Sequence, residues 1–227
     1  MRGFELFPLY DENKSLSRPY INYALIIINV IVFIFELTGN YEEIIFTYGS
    51  IPAFILEGES LLTLITSMFL HGDIMHIFGN MLYLFIFGDN IEDRYGHIYY
   101  VIIYLIFGIA SGLAHVFYSG FIVGGDLVLI PTIGASGAIS GVLGSYIVFY
   151  PKARIVSVVP SYFGIRLARI PAILFLGFWF ILQLLYSGSL SSVAYWAHIG
   201  GFVVGLAFAL VKRMLTAKRR EYQWNRQ

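Results

Sequence analysis

Four residues in this chain have the types and setting needed for acyl transfer: Ser136, His198, His76 and Asn80. A serine hydroxyl is a weak nucleophile until a neighbouring base takes its proton. Neutral histidine is the usual base, and apolar surroundings favour neutrality. Ser136 opens an apolar helical run, so free backbone N–H groups and the helix dipole would face a developing oxyanion there. His76 and Asn80 stand at i and i+4, share a helix face and could add donors to that oxyanion. The only acids near the same level, Asp73 and Asp126, fall outside the apolar runs. The residues therefore suggest a Ser–His dyad rather than a triad.

The elements that must position these groups follow from composition. Of 227 residues, 58% are hydrophobic, 18% aromatic and 12% charged, the last about half the usual ~25% of a soluble domain. Mean hydropathy is +0.76. Fourteen basic and fourteen acidic residues cluster between long uncharged runs. That pattern excludes a soluble globular domain, a disordered chain and a nucleic-acid binder with a basic surface. There is no cysteine, hence no disulfide, thiol nucleophile or thiolate-bound metal. The chain reads as a multi-pass membrane protein in contact with the lipid bilayer.

Runs near the ~20 residues that cross a bilayer occur at Tyr20 to Leu37, Ile74 to Phe87 (with a start expected a few residues earlier, near Met68), Tyr95 to Tyr118, Ser136 to Tyr150, Pro171 to Tyr186 and Val193 to Leu215. No small-residue cleavage site follows the first, which reads as a retained anchor. All fourteen Lys and Arg fall in the N-terminal arm, the 88–94 turn, the 151–169 loop and the tail from Lys212. The alternate loops 38–67, 119–135 and 187–192 hold none. The positive-inside rule then predicts an all-α fold of six transmembrane helices with both termini cytoplasmic. It divides the chain into a cytoplasmic arm (1–19), a six-helix domain (20–215) and a basic cytoplasmic tail (216–227).

In that topology spans two, four and six all begin on the outer side, bringing His76 and Asn80, Ser136 and His198 to one depth. Polar groups inside spans are expensive and are functional hypotheses by default. Span four has 15 residues, only ~22 Å of helix, so its outer end should lie below the membrane surface. The segment 130–135 would dip inward, which irregular backbone tolerates only beside protein or a water-filled cavity. Small residues at Ser136, Ser140 and Gly144, at Gly137, Gly141 and Ser145, and at Ala197, Gly201 and Gly205 recur every fourth position. Such stripes allow close helix approach, so spans four and six should pack together and bring His198 within reach of Ser136.

Here the chain resembles the rhomboid intramembrane serine proteases. The resemblance rests on the stretches 69–80 (FLHGDIMHIFGN), 88–96 (GDNIEDRYG), 134–137 (GASG) and 197–201 (AHIGG), which occur in family order, and covers roughly residues 20–212. It implies a six-helix rhomboid-like bundle, a Ser136 nucleophile, a His198 base and an oxyanion site from His76, Asn80 and the Ser136 N–H. It also implies cleavage of the transmembrane segments of other proteins without a cofactor or metal, at a site opening to the non-cytoplasmic side of the cell membrane. Leu62-Thr63 stands where many rhomboids carry Trp-Arg, so no role is carried over to that pair. Ser140 stands where some members place an aromatic ring against the histidine. Glu92 is similar to the family's acid after the second span and reads as structural. His71 and Tyr95 read as packing residues, and His97 and His115 as groups satisfying local hydrogen bonds.

The main alternative is a non-catalytic rhomboid-like protein that binds membrane clients. Such relatives lack the serine, the histidine or both, whereas both are present here. His71, Asp73 and His76 lie close together, but no His-Glu-x-x-His zinc motif occurs. A channel or transporter would call for paired half-helices or inverted repeats, and none is visible. Substrate identity and oligomeric state are not encoded in any motif.

Overall fold

The computed structural model describes residues 7–161, 164–189 and 193–224. Arg2 of the arm and Arg226 of the tail lie outside the described residues, as do positions 190–192 of the third uncharged loop. Nine α-helices and three strands occur among the described residues. They run β1 (Phe7–Asp11), α1 (Tyr20–Thr38), α2 (Tyr41–Tyr48), α3 (Pro52–Leu56), α4 (Thr63–Thr66), α5 (Ile74–Tyr95), α6 (His97–Phe117), α7 (Ser136–Phe149), β2 (Arg154–Ser161), β3 (Gly164–Pro171), α8 (Ala172–Tyr186) and α9 (Tyr195–Trp224). Four helical stretches, Tyr20–Thr38, Ile74–Tyr95, His97–Val123 and Tyr195–Ala217, are long and apolar enough to cross a membrane. The apolar helices α7 and α8 are shorter.

The burial pattern differs from a soluble protein's chiefly in its apolar exterior. Helix α1 buries Asn22, Asn29 and Glu36 while exposing Ile27, Ile31, Ile34 and Phe35. An apolar exterior over a polar-containing interior suits hydrocarbon, where each inward polar group must find a protein partner. Asn22 does so: its amide donates to the Leu84 carbonyl (2.9 Å) and accepts from the Tyr100 hydroxyl (2.9 Å), tying α1, α5 and α6 together.

Helix α7 is enclosed by its neighbours, with eleven of its fourteen residues buried. A Cβ added to Gly201 would lie 2.0 Å from the Gly137 carbonyl oxygen, and one on Gly205 1.9 Å from that of Gly141. Backbone therefore meets backbone along the α7–α9 seam, as the four-residue spacing of small residues predicts. Ser145 Oγ donates to the Gly205 carbonyl (3.0 Å) across the same seam. On the other flank of α7, Phe107 of α6 fills the space a Gly141 side chain would take.

Four expectations are corrected. The fold is mostly helical rather than all-α, because the basic 151–169 loop is a β-hairpin. Antiparallel β2 and β3 pair from Arg154↔Pro171 to Ser161↔Gly164, and β1 of the arm adds a third strand on β2. The β-branched run Ile155-Val156 buries its side chains there, a strand preference that reading the loop for its charges overlooked. The polar stretch 88–94 is helix, not a turn, and α5 continues to Tyr95. Its acid Glu92 is fully buried and accepts the N–H groups of Ile21 (3.0 Å) and Asn22 (2.7 Å), capping the start of α1. The chain reverses instead at Gly96, whose φ of +83° favours glycine. The third span consequently starts at His97 rather than Tyr95, and the second starts at Ile74, where Asp73 caps it after the extended Leu70, rather than near Met68.

Beneath the sheet lies a polar cluster. Tyr146 of α7 donates its hydroxyl to Asp11. Asn90 of α5 donates to Asp11 (3.0 Å) and to Asp89 (2.8 Å). Burial pushes the Asp11 carboxyl up to about 7, outweighing the hydrogen bond from Tyr146, and the nearby charge of Asp89 adds to the rise. Its folded pKa thus exceeds its unfolded value, so the folded state binds the proton more tightly. Stability from this group is then greatest below pH ~4 and declines as pH rises through about 7. Asp11→Asn, which cannot ionise, should flatten that decline. Melting temperatures of both proteins at about pH 5 and about pH 8 would test this, and equal pH dependence would remove Asp11 as the source.

Candidate active site

Three helices start at the same end of the bundle, and local contacts fix the start of two of them. Asp73 caps α5 by accepting the His76 backbone N–H (2.9 Å). The approach to α7 is pinned twice: Thr132 exchanges backbone hydrogen bonds with Ser50 (2.8 and 3.0 Å), and Gly134 N–H donates to the Ser67 carbonyl (2.9 Å). Helix α9 begins at Tyr195, three positions before His198. These starts bring His76, Asn80, Ser136 and His198 together on the wall of one cavity of about 1950 Å³.

Ser136 Oγ and His198 Nε2 are 2.8 Å apart. The seam sets this distance, since Gly201 and Gly205 hold α9 against α7 just beyond His198. The other ring nitrogen, Nδ1, lies 2.8 Å from Gln183 Oε1 on α8. Gln183 Nε2 donates to the Trp179 carbonyl (3.3 Å) one turn earlier. A backbone carbonyl only accepts, so the amide nitrogen points to it and the amide oxygen points to His198. An acceptor at Nδ1 places the ring proton there and leaves Nε2 with a lone pair toward the serine. Ser136 Oγ–H therefore donates to His198 Nε2.

His76 has the opposite arrangement. Its Nδ1 accepts the Gly72 backbone N–H (3.2 Å), so its proton resides on Nε2. A Cβ built on Gly134 would stand 2.7 Å from His76 Nε2 and 3.7 Å from Asn80 Nδ2. Both side-chain donors thus converge on the space over Gly134, two residues before Ser136. Asn80 is buried, and its Nδ2 has no acceptor among the described residues. The first N–H groups of α7 lack intrahelical acceptors as well. The site can therefore deprotonate a hydroxyl on one side and receive a developing negative charge on the other.

Other residues singled out from sequence find structural partners. Ser140 Oγ donates to the Ser136 carbonyl (2.6 Å). Aromatic neighbours of His198 come instead from Trp179 of α8 and Tyr195 of α9, with ring centroids at 5.9 and 6.4 Å. His97 contacts Glu92, and His115 lies 3.3 Å from Ser119 Oγ. The backbone N–H of buried His71 donates to the Glu36 carboxylate (3.2 Å), while His71 and His76 meet edge to face. Thr63 donates to the Ser60 carbonyl (2.7 Å) at the start of α4, and Leu62 is exposed. Among the described residues no group of three His, Cys, Asp or Glu side chains is arranged to hold a metal ion. Gln183 was missed from sequence. Its signal was available, because a carboxamide inside an apolar run is costly, but it belongs to no motif.

A membrane-type helical bundle with a hydrogen-bonded serine and histidine on the wall of a cavity defines a recognisable class. Residues 58–214 match the Rhomboid domain model. The chain belongs to the rhomboid family. It is 30% identical over 161 residues to RHOMBOID-like protein 6, mitochondrial, of Arabidopsis thaliana, covering 70% of this chain and 46% of that protein. It is 28% identical over 217 residues to the rhomboid protease GluP of Bacillus subtilis, covering 88% and 38%. With the rhomboid protease AarA of Providencia stuartii it shares 27% over 219 residues, covering 91% and 77%. The chain thus spans less than half the length of the first two relatives.

Two glycines of the site should respond oppositely to alanine. Gly134 has φ +118° and no room for a Cβ, whereas a Cβ on Gly79 of α5 would meet nothing within 4 Å. Gly134→Ala is expected to destabilise by about 1–3 kcal/mol and to displace the His76 ring. Gly79→Ala should be neutral or stabilising by up to about 1 kcal/mol. Thermal unfolding in one detergent decides, and equal effects at both positions would contradict the crowding over Gly134.

Proposed function

We propose that this chain is an intramembrane serine endopeptidase that cleaves transmembrane segments of other membrane proteins. The observation that carries the reading is the 2.8 Å contact between Ser136 Oγ and His198 Nε2 at a cavity inside an apolar bundle. In this reading α1, α5, α6, α7, α8 and α9 are six spans, both termini are cytoplasmic, and the cavity opens on the other side of the cell membrane. The charge distribution supports that orientation, because the Lys- and Arg-bearing segments alternate with uncharged ones. Neither a metal nor a cofactor is called for.

His198 Nε2 takes the proton of Ser136 Oγ as the oxygen adds to the scissile carbonyl. The oxyanion is received by the Ser136 N–H, Asn80 Nδ2 and His76 Nε2–H. Collapse breaks the C–N bond, and the imidazolium returns its proton to the leaving amine, leaving an acyl-enzyme. Water, deprotonated by the same histidine, adds to the ester carbonyl and releases the second product. The substrate enters sideways from lipid and unwinds locally, since a helical peptide carbonyl is already hydrogen-bonded and shielded. Gly, Ser or Ala near the scissile bond lowers the cost of unwinding.

Ser136→Ala and His198→Ala should each abolish cleavage of a reconstituted transmembrane substrate, and the double variant should be no worse than either. Turnover by Ser136→Ala, or losses that multiply in the double variant, would count against the pair. A protein that binds such substrates and leaves them intact would instead be a non-catalytic client binder.

Removing one oxyanion donor typically costs ~10²–10³ in rate. Asn80→Ala should therefore lower kcat by about that factor with KM little changed. A structural role for Asn80 predicts activity falling only in step with melting temperature, and that result would take Asn80 out of the site.

A further inference from the structure

The contact between His198 and α8 carries an assignment beyond the serine, the histidine and the oxyanion donors. Gln183 is buried, and both ends of its carboxamide are engaged, Oε1 with His198 Nδ1 at 2.8 Å and Nε2 with the Trp179 carbonyl at 3.3 Å. The second contact fixes which end faces the imidazole. Trp179 also lays its ring beside His198, so one turn of α8 supplies both a flat apolar wall and a hydrogen-bond acceptor. Among the described residues no acid contacts His198, and the acceptor that a catalytic carboxylate would provide is provided by an amide.

We infer that Gln183 is a positioning residue that holds His198 in the tautomer and orientation needed for proton transfer. The inference rests on the serine-protease reading above. A neutral imidazole has two tautomers, and only the one protonated at Nδ1 presents a lone pair to Ser136. Without an acceptor at Nδ1 the ring can place its proton on Nε2, where it blocks the serine, or rotate off the Oγ. During reaction the Nδ1–H gains positive character, and its hydrogen bond to Oε1 strengthens. The contribution is thus made in the transition state and appears in kcat. A carboxamide gives less than a carboxylate would, but it avoids leaving a second charge in a bilayer-embedded interior.

The test compares Gln183→Leu, which removes the acceptor, with Gln183→Glu, which keeps an oxygen at the same reach. Two readings are taken on each full-length protein: cleavage of a transmembrane substrate, and phosphonylation of Ser136 by a soluble fluorophosphonate, in which Oγ displaces fluoride. Gln183→Leu should lower both kcat and the labelling rate by about 10- to 100-fold, the scale of one hydrogen bond to a charged group, with KM unchanged. Gln183→Glu should recover most of that loss. Stability should follow the reverse order, since leucine suits an apolar helix better than a buried acid. Activity that follows melting temperature, or wild-type labelling in Gln183→Leu, would overturn the positioning role while leaving Ser136 as nucleophile. Should Gln183→Glu fail to fold, nitrogen-15 NMR of histidine-labelled Gln183→Leu still decides: a His198 that keeps its proton on Nδ1 refutes the inference. Failure of the wild type itself to label would remove the protease reading, and the inference with it.

Discussion

The close approach of α7 and α9 is the constraint on which the rest of this structure depends. Apolar side chains gain little by leaving lipid for one another, so helices here associate through shape and hydrogen bonds. Glycine at 144, 201 and 205 lets the two backbones touch, with the space of a methyl group already taken by main chain of the facing helix at each. That contact fixes the separation of Ser136 from His198, three residues from the nearest glycine of the seam. A bundle held by longer side chains would put the helix axes further apart and lose the 2.8 Å hydrogen bond. The same requirement explains why α7 is short and enclosed, since a helix serving as the floor of a cavity cannot also face lipid on most sides.

Enclosing polar groups then becomes a question of partners. Glu36, Glu92, Asn22 and Gln183 all lie inside the bundle, and each has at least one main-chain or side-chain contact that another helix or loop supplies. Glu92 is the most economical case, because one carboxylate caps α1 from the far end of α5. Asn80 differs. Its Nδ2 is buried beside the cavity without an acceptor among the described residues, which suits the proposed role of a donor whose partner arises only during reaction.

Much of the site was legible in the sequence because membrane spans make polar residues conspicuous. Ser136, His198, His76 and Asn80 could be picked out against uninterrupted apolar runs, and the four-residue spacing of small residues foretold which helices would meet. Gln183 met the same criterion but was missed because it belongs to no motif, and the role inferred for it depends on a neighbour fifteen positions away on another helix. The sheet was hidden for another reason. Its strands are short, carry arginines and pair with an N-terminal segment more than 140 residues distant, so charge content masked the β-branched run. The polar 88–96 stretch misled because helix propensity says nothing about a carboxylate finding two amide donors on another helix.

In the proposed reaction His76 and His198 are one kind of side chain set to two tasks. Both are half-buried on the same cavity, so solvent exposure does not separate them. Their Nδ1 partners do. A backbone N–H from Gly72 donates to His76 and forces its proton outward onto Nε2, making the exposed nitrogen a donor. A carboxamide oxygen from Gln183 accepts from His198 and keeps its proton on Nδ1, making the nitrogen that faces Ser136 an acceptor. In the proposed reaction the first stabilises negative charge and the second removes a proton, and exchanging the tautomers would disable both. The choice between acid-like and base-like histidine is thus made one bond away from the chemistry, by a turn before α5 and by a residue of α8.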